Sequence, residues 1–168
     1  QTAKVGGCMK VLIVSDNHRE KNIIENLSKT IPADYYIHLG DSEFISDDPE
    51  LDAYLTVLGN VDFDRTYQRH GKLEDIFFTH GHLFGIKHDR TTLAEKAAGL
   101  GAKYALYGHS HVAKVEKIND VYCINPGSIS FSRNVYPESY AILDTDKDIV
   151  QYYNRKNELM DSIQLENL

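Results

Sequence analysis

Short apolar runs alternate with polar segments along most of the chain. Five runs have the length of a strand, and the first of them, residues 11–14, is apolar at every position. A run without polar alternation indicates a strand that is buried on both faces. The pattern predicts strands at residues 11–14, 35–39, 54–58, 75–79 and 104–107.

Two segments between these runs have helical patterns. Residues 20–29 carry apolar side chains at helical spacing, and Pro32 stops this helix. Residues 92–95 (Thr-Leu-Ala-Glu) have the form of a capping box and predict the start of a second helix, which Gly99 and Gly101 close. Strands therefore alternate with helices in the first two thirds of the chain.

Hairpins dominate the last third of the chain. Turn signals at Asn119-Asp120 and Asp146-Lys147 separate short strand patterns at residues 112–118, 121–124, 139–144 and 149–153. The element order predicts an α/β fold with mixed sheets covered by helices, in one domain over residues 9–168. Residues 1–8 lack an apolar pattern and precede Met9, so we expect them to be a cloning remnant.

Aspartate, asparagine and histidine residues follow the predicted strands, at the point where each strand ends. In open α/β sheets this edge is where ligands bind, because the loops there converge. Each motif alone is common in turns, but their joint placement at strand ends favours one shared site. The motifs are Asp16-Asn17-His18, Gly40-Asp41, Gly59-Asn60, His80-Gly81-His82 and Gly108-His109-Ser110-His111.

The side chains of these motifs are metal ligands of the carboxylate, amide and imidazole type. Asp16 and His18 can reach one ion from the same loop, and the Asp41 carboxylate can bridge two ions. Mixed oxygen and nitrogen donors favour manganese, iron, zinc, cobalt or nickel over calcium or magnesium. Their number predicts two divalent ions, and a two-metal site indicates hydrolysis of a phosphate ester.

Composition excludes several other classes of protein. The formal net charge of −7 disfavours general binding to duplex nucleic acid, whose phosphates attract lysine and arginine. No apolar run approaches the length of a membrane span, and we expect a cytoplasmic protein. The two cysteines, Cys8 and Cys123, cannot form a disulfide framework, and Cys123 has no adjacent histidine that would activate it.

The order of the motifs resembles that of the calcineurin-like metallophosphoesterase superfamily, and the resemblance covers residues 9 to about 153. The compact length and the segment Ile124-Asn125-Pro126-Gly127-Ser128 resemble its small bacterial and archaeal phosphodiesterases. The resemblance implies a four-layer αββα sandwich of two mixed β-sheets flanked by helices. It also implies in-line attack on phosphorus by a water or hydroxide that bridges two metal ions.

The resemblance assigns a role to each motif residue. One ion should be held by Asp16, His18, Asp41 and His111, and the second by Asp41, Asn60, His80 and His109. Manganese is the expected metal, with nickel, iron, zinc and cobalt as alternatives. The candidate catalytic residues are Asp41, Asn60, His80 and His82.

One position departs from the pattern of larger relatives. They carry a histidine directly after the motif asparagine, where it protonates the leaving group, and this chain has Val61 there. The departure predicts a preference for diesters with good leaving groups, slow turnover or a substitute acid. His82 is a candidate substitute, and the alternative is that it only hydrogen-bonds to a ligand. Arg133 could contact a substrate phosphate or lie on the surface.

Other polar residues near the motifs receive structural interpretations. We expect Asn125 and Ser128 to fix their loop, His38 to be a satisfied core histidine, and His70 and His88 to be exposed loop residues.

Three functions remain open. The leading hypothesis is a metal-dependent phosphodiesterase that acts on a small substrate, and a phosphomonoesterase or nucleotidase would use the same chemistry. The third is a binding module, since the scaffold subunit of the eukaryotic retromer complex resembles this chain in size and in its histidine segments. Assembly as a homodimer or homotetramer is a further expectation.

Overall fold

The computed structural model describes residues 9–133 and 137–168, which form two β-sheets and two α-helices. Residues 1–8, the expected cloning remnant, lie outside the described residues. The larger sheet has six strands in the order β11-β10-β9-β1-β2-β3, with β1, β2 and β3 parallel and the others antiparallel. Its strands are β1 (Lys10–Val14), β2 (Tyr35–His38), β3 (Tyr54–Thr56), β9 (Ser139–Asp144), β10 (Ile149–Asn154) and β11 (Leu159–Gln164).

The smaller sheet has five strands in the order β4-β5-β6-β8-β7. Strands β5, β6 and β8 are parallel, and the two edge strands β4 and β7 are antiparallel to their neighbours. The five strands are β4 (His70–Leu73), β5 (Ile76–Thr79), β6 (Tyr104–Leu106), β7 (Lys114–Ile118) and β8 (Val121–Asn125).

The main core lies between the two sheets. It joins Val11 and Ile13 of β1 to Phe78 of β5 and Leu106 of β6, all of them buried. The odd-numbered residues of β1 face this core, while Leu12 and Val14 face the opposite side, so β1 is buried on both faces as its apolar run predicts.

One helix covers the outer face of each sheet. Helix α1 (Ile23–Thr30) packs Ile24 and Leu27 against Leu12 and Val14 of the larger sheet. Helix α2 (Thr91–Gly99) packs its buried alanines and Leu93 against the smaller sheet. The predicted four-layer αββα sandwich is therefore confirmed.

Both helices begin at positions that differ from the predicted ones. Helix α1 starts at Ile23 rather than residue 20, because Asn22 adopts a left-handed conformation with φ of 75°. The main-chain N–H of Asn22 donates to the Glu50 carboxylate and makes no hydrogen bond within a helix. The predicted capping box at residues 92–95 was wrong, since α2 begins at Thr91, whose N–H donates to the Asp89 carboxylate.

Two edge strands, β4 and β11, have no counterpart among the predicted elements. Strand β4 contains His70, which is exposed as expected but lies in a strand rather than a loop. Strand β11 buries none of its six residues completely. An edge strand needs few apolar positions, so the pattern of hydrophobic residues does not identify it. Among the described residues, no helix is long and apolar enough to cross a membrane.

Candidate metal centre

The motif residues lie in loops that leave the carboxyl ends of parallel strands in both sheets. Asp16 and His18 follow β1, Asp41 follows β2, and Asn60 follows β3. We call these four the six-strand side of the centre. The five-strand side consists of His80, which follows β5, and His109 and His111, which follow β6. The two sets meet where the packed sheets bring their strand ends together.

Five of these residues have a left-handed backbone. The φ angles are 59° at Asp16, 44° at His18, 58° at Asp41, 71° at His109 and 62° at His111. Non-glycine residues rarely adopt this conformation, which costs about 1 kcal/mol or more at each position. Such strain persists only where the surrounding structure enforces it, and its concentration here is typical of a functional site.

Two glycines allow the loops to approach the carboxylates closely. A Cβ atom on Gly59 would lie 2.0 Å from Oδ1 of Asp41, and one on Gly108 would lie 2.1 Å from Oγ of Ser15 and 3.0 Å from Oδ2 of Asp16. Any larger residue at either position would displace a carboxylate or the hydroxyl that contacts it. The glycines of these two motifs are therefore required by packing.

The first candidate ligand group consists of Asp16, His18 and His111, whose ligand atoms all lie within 4.8 Å of one another. The Nε2 atoms of the two histidines are 3.3 Å apart, and they lie 3.7 and 3.5 Å from Oδ1 of Asp16. Nδ1 of His18 lies 2.9 Å from Oε2 of Glu43, and Nδ1 of His111 lies 2.7 Å from the Phe131 carbonyl oxygen. Both of these oxygens can only accept a hydrogen bond. In the neutral rings each Nδ1 therefore carries the proton, and both Nε2 lone pairs point toward the same space.

The second candidate ligand group consists of Asp16, Asp41 and His80, and all three are buried. Nε2 of His80 lies 3.0 Å from Oδ1 of Asp16 and 3.1 Å from Oδ2 of Asp41. The carboxylate that belongs to both groups is that of Asp16, whereas the sequence led us to expect Asp41 as the shared ligand. Either group could hold a divalent cation with its oxygen and nitrogen donors.

In the second group, the buried carboxylates of Asp16 and Asp41 are stabilised by positive charge placed between them. Burial alone would raise the pKa of Asp16, but the neighbouring imidazoles of His111 and His80 hold it well below its usual value. Burial alone would lower the pKa of His80, but hydrogen bonds to Asp16 and Asp41 raise it to about 9. A divalent cation would meet the same need, because it compensates buried carboxylates without a proton.

The two remaining candidate ligands are His109 and Asn60. The His109 ring packs against the His80 ring with 5.0 Å between centroids, and the His109 N–H donates to Asp16. Burial and the nearby charges of His80 and Lys87 lower the pKa of His109 to about 4, which keeps its ring neutral and able to bind a metal. Asn60 is exposed, and its neighbours Gly59 and Val61 both contact Asp41.

Asp62 is a supporting residue that sequence reasoning missed. Its carboxylate accepts the N–H groups of Asp41, Gly59 and Glu43 at 2.9, 2.8 and 2.7 Å, and so joins the loops that follow β2 and β3. Its position two residues after Asn60 is the only signal in the sequence, and short spacing alone does not distinguish a loop clamp from a solvated carboxylate.

His38, Asn125 and Ser128 have the structural roles that we predicted. The buried His38 ring bonds to Asn17 Oδ1 through Nε2 and accepts the Gly40 N–H at Nδ1, and burial lowers its pKa to about 4. The Ser128 hydroxyl donates to the Asp16 carbonyl, and the Asn125 amide donates to Gly108. These bonds fix the loops from which the ligands project.

His82, Val61 and Arg133 are the residues considered above for leaving-group protonation and phosphate binding, and they differ in burial and contacts. His82 is half-buried, and its Nδ1 lies 3.2 Å from Nδ1 of His80. Burial and the nearby His80 lower the pKa of His82. The Val61 side chain is 46% exposed while its N–H donates to Asp41 Oδ1. Arg133 is exposed, and its N–H donates to the His111 carbonyl.

The remaining residues agree with their assignments. His88 is exposed in a loop, and Cys123 is buried in β8, where burial raises the pKa of its thiol to about 12. A thiol of this kind is not a nucleophile at neutral pH.

Comparison with known proteins agrees with this architecture. The chain is 37% identical over 164 residues to the probable metallophosphoesterase YsnB of Bacillus subtilis, covering 93% of this chain and 97% of YsnB. It is also 38% identical over 72 residues to the phosphodiesterase YfcE of Escherichia coli, which is 42% of this chain and 35% of YfcE.

Solved structures give the same result. A predicted phosphoesterase of Streptococcus pneumoniae matches with a TM-score of 0.85 and 30% identity, over 93% of this chain and 97% of that protein. Vps29 of Entamoeba histolytica in complex with Zn²⁺ shares the fold, with a TM-score of 0.70 and 20% identity over 92% of this chain and 98% of Vps29.

The model of the calcineurin-like phosphoesterase superfamily domain matches residues 9–148, which contain all seven candidate ligands. The family predicted from the order of the motifs is confirmed: this chain belongs to the calcineurin-like phosphoesterase superfamily.

Proposed function

We propose that this protein is a phosphodiesterase that uses two divalent metal ions, with manganese as the first candidate. The observation that carries the proposal is that the Nε2 lone pairs of His18 and His111 point into the same space beside the Asp16 carboxylate. The second candidate ligand group shares this carboxylate. Two neutral nitrogen acceptors 3.3 Å apart repel each other unless a cation or a proton lies between them. Two adjacent groups of this kind support a pair of ions.

The ligands divide between the two positions. Asp16, His18 and His111 would hold one ion, and Asp16, Asp41 and His80 would hold the other, with Asn60 and His109 as the expected further ligands of the second ion. Bound there, the ions would lower the pKa of water and neutralise charge on the phosphate as water attacks phosphorus in line. The chain's own contribution is to fix the donor atoms and to exclude bulk water from Asp16 and Asp41.

The rim of the centre favours a diester over a monoester. Two residues next to candidate ligands have large exposed apolar side chains: Val61 (46%), which follows Asn60, and Phe131 (54%), which lies beside His18. The Phe131 ring contacts His18 edge-on, with 5.7 Å between centroids. A diester has an organic group on each side of phosphorus, and an apolar rim can contact the second group, which a monoester lacks.

The decisive experiment is hydrolysis of bis-p-nitrophenyl phosphate by protein stripped of metal with a chelator, with and without added Mn²⁺. We expect activity only with metal, and a higher kcat/KM for this diester than for p-nitrophenyl phosphate. Asp52→Asn, which removes an exposed carboxylate outside the centre, should behave as wild type.

Two outcomes would contradict the proposal. A faster reaction on the monoester would assign the protein to the phosphomonoesterases. Stoichiometric binding of metal without hydrolysis of either ester would favour a binding module, the alternative that shares this fold.

A further inference from the structure

A groove beside the metal centre is lined mainly by cationic and hydroxyl side chains. It has a volume of about 340 Å³, which is within the range of small-molecule sites. It lies between the end of the loop that leads into α2, the loop after β6 and the start of β7. Among its lining residues are Lys87, Arg90, Tyr107, Ser110, Lys114 and Arg133.

Three of the cations in this groove are not neutralised by a carboxylate. Arg90 forms an ion pair with Glu116 and donates to the Ile86 carbonyl, so its charge is compensated. Within residues 9–133 and 137–168, the side chains of Lys87, Lys114 and Arg133 form neither an ion pair nor a hydrogen bond. The net charge of the protein is −7, so three uncompensated cations at one groove are a local reversal of its charge.

Two hydroxyl groups add neutral donors to these charges. Oγ of Ser110 accepts hydrogen bonds from the Asn125 amide and the Val112 N–H, at 3.0 and 3.2 Å, which leaves its own hydrogen for another acceptor. Tyr107 is only 2% exposed, yet in the described part of the chain its hydroxyl has no hydrogen-bond partner. Donors without acceptors, beside free cations, suit an anion with several oxygens.

The groove is directly connected to the metal centre. Ser110 lies between His109 and His111 in the chain, and the Arg133 N–H donates to the His111 carbonyl at 3.1 Å. Lys87 is close enough to His109 for its charge to act on that ring. A molecule whose scissile phosphate lay at the centre could therefore extend into the groove.

We propose that this groove binds a second phosphate group on the substrate, so that the preferred substrate is a phosphodiester that carries another phosphate near the scissile one. The proposal rests on the proposed function of the metal centre. It narrows the substrate class to phosphodiesters that carry a further phosphate, of which phosphorylated nucleotide diesters are one example. Lys114 and Arg133 supply charge, and Ser110 and Tyr107 supply directional hydrogen bonds.

A matched pair of chromogenic diesters tests the proposal. Thymidine 5′-(p-nitrophenyl phosphate) and the same compound with a 3′-phosphate differ only in the second phosphate and share one leaving group. We expect the Mn²⁺-loaded wild type to favour the 3′-phosphorylated compound by about tenfold in kcat/KM, because several weak charge contacts act together. A ratio near one would overturn the proposal.

Three single variants locate the effect. Lys114→Gln and Arg133→Gln should each lower the ratio of kcat/KM for the two diesters about threefold to fivefold. This is the change expected when one exposed charge–charge contact is lost. Lys117→Gln is the matched control, because it removes the same charge from the same strand at a residue outside the groove. A ratio that survives both groove variants, or that falls equally in the control, would contradict the assignment.

A binding measurement separates this proposal from the proposed activity. By calorimetry, wild-type protein should bind thymidine 3′,5′-bisphosphate about tenfold more tightly than thymidine 5′-phosphate, and Arg133→Gln should reduce this difference. This preference can be measured even if neither diester is hydrolysed, so failure of the activity would not hide it. If added inorganic phosphate accelerated turnover of the diester without the 3′-phosphate, the groove would belong to a free effector and the proposal would be wrong.

Discussion

The two sides of the metal centre are held in place by different means. On the six-strand side, Asp62 accepts three main-chain N–H groups, and His38 joins Asn17 to Gly40. On the five-strand side, the His80, His82 and His109 rings contact one another, with centroids 5.0 to 6.2 Å apart. Main-chain hydrogen bonds thus fix the first set of ligands, and the second set adds contacts between rings to the hydrogen bond from Asn125 to Gly108.

This difference indicates how the centre is divided between rigid and adjustable parts. Short carboxylate side chains on a clamped backbone have little freedom, so their positions are set when the six-stranded sheet folds. Imidazole rings on the opposite loops are longer side chains held partly by contacts between rings, so they can adapt to the size of a metal ion. We therefore expect substitutions on the six-strand side to have the larger effects.

Removal of the Asp41 carboxylate should have the largest effect. Asp41→Ala and the isosteric Asp41→Asn should each lower kcat/KM by about a thousandfold or more, because one of the two carboxylates in the candidate ligand groups loses its charge. Steady-state kinetics at saturating Mn²⁺ would measure this. Asp52→Asn is the charge-matched control, and an Asp41→Asn enzyme with more than a tenth of wild-type activity would contradict the assignment of Asp41 as a ligand.

The buried His38 should make the six-strand side sensitive to acid. Its pKa is lowered from 6.5 to about 4 in the folded protein, so the unfolded chain binds the proton more readily between these values. Stability from His38 is therefore complete above pH 6.5 and is lost as the pH falls toward 4, by about 3 kcal/mol in total. Urea denaturation of metal-free protein between pH 7 and pH 4.5 would measure this loss.

Substitution of His38 provides the comparison. His38→Gln should be less stable than wild type at pH 7 but should lose less stability on acidification, since glutamine does not titrate. His88→Gln, at an exposed position, should keep the wild-type slope. Parallel slopes for His38→Gln and wild type would show that His38 does not cause the acid sensitivity.

The contrast between the two sides also explains which features could be predicted from the sequence. Ligands such as Asp16 and His80 stand directly after buried apolar strands, so hydrophobic pattern and strand-end position identify them together. The sandwich follows from the order of these strands and from the family resemblance. Strands β4 and β11 were missed because edge strands bury few side chains.

Residues that support the centre through hydrogen bonds to the main chain of other loops were harder to predict from the sequence. Asp62 supports the centre through three N–H groups of other loops, and such contacts depend on how β2 and β3 are placed in space. The basic groove joins Lys87 and Lys114, which are far apart in the chain. Neither feature has a local pattern, whereas a motif such as His109-Ser110-His111 is local.

The Asp62 clamp should affect metal affinity more than the chemical step. In Asp62→Asn the amide nitrogen would face either the Glu43 N–H or the N–H groups of Asp41 and Gly59, so at least one of the three hydrogen bonds would be lost. We expect Mn²⁺ to bind about tenfold to a hundredfold more weakly, as measured by calorimetry. The activity of Asp62→Asn should largely recover at high Mn²⁺. If activity stayed low at saturating Mn²⁺, Asp62 would have a direct role in catalysis.

The smallest effect should come from His82 on the five-strand side. If His80 binds a metal through Nε2, its Nδ1–H donates to Nδ1 of His82, 3.2 Å away, and so orients the His80 ring. Burial and the nearby His80 lower the pKa of His82, which disfavours the imidazolium form that a general acid would need. We expect His82→Gln to lower kcat/KM by about threefold to tenfold.

The dependence on leaving group distinguishes the two roles of His82. A residue that only orients His80 should produce equal losses for p-nitrophenyl and phenyl diesters, accompanied by weaker Mn²⁺ binding. A proton donor would matter far more for the phenyl ester, because phenol is the poorer leaving group. With exposed His70→Gln as the control, a loss confined to the phenyl ester would make His82 the substitute acid for the histidine that Val61 replaces.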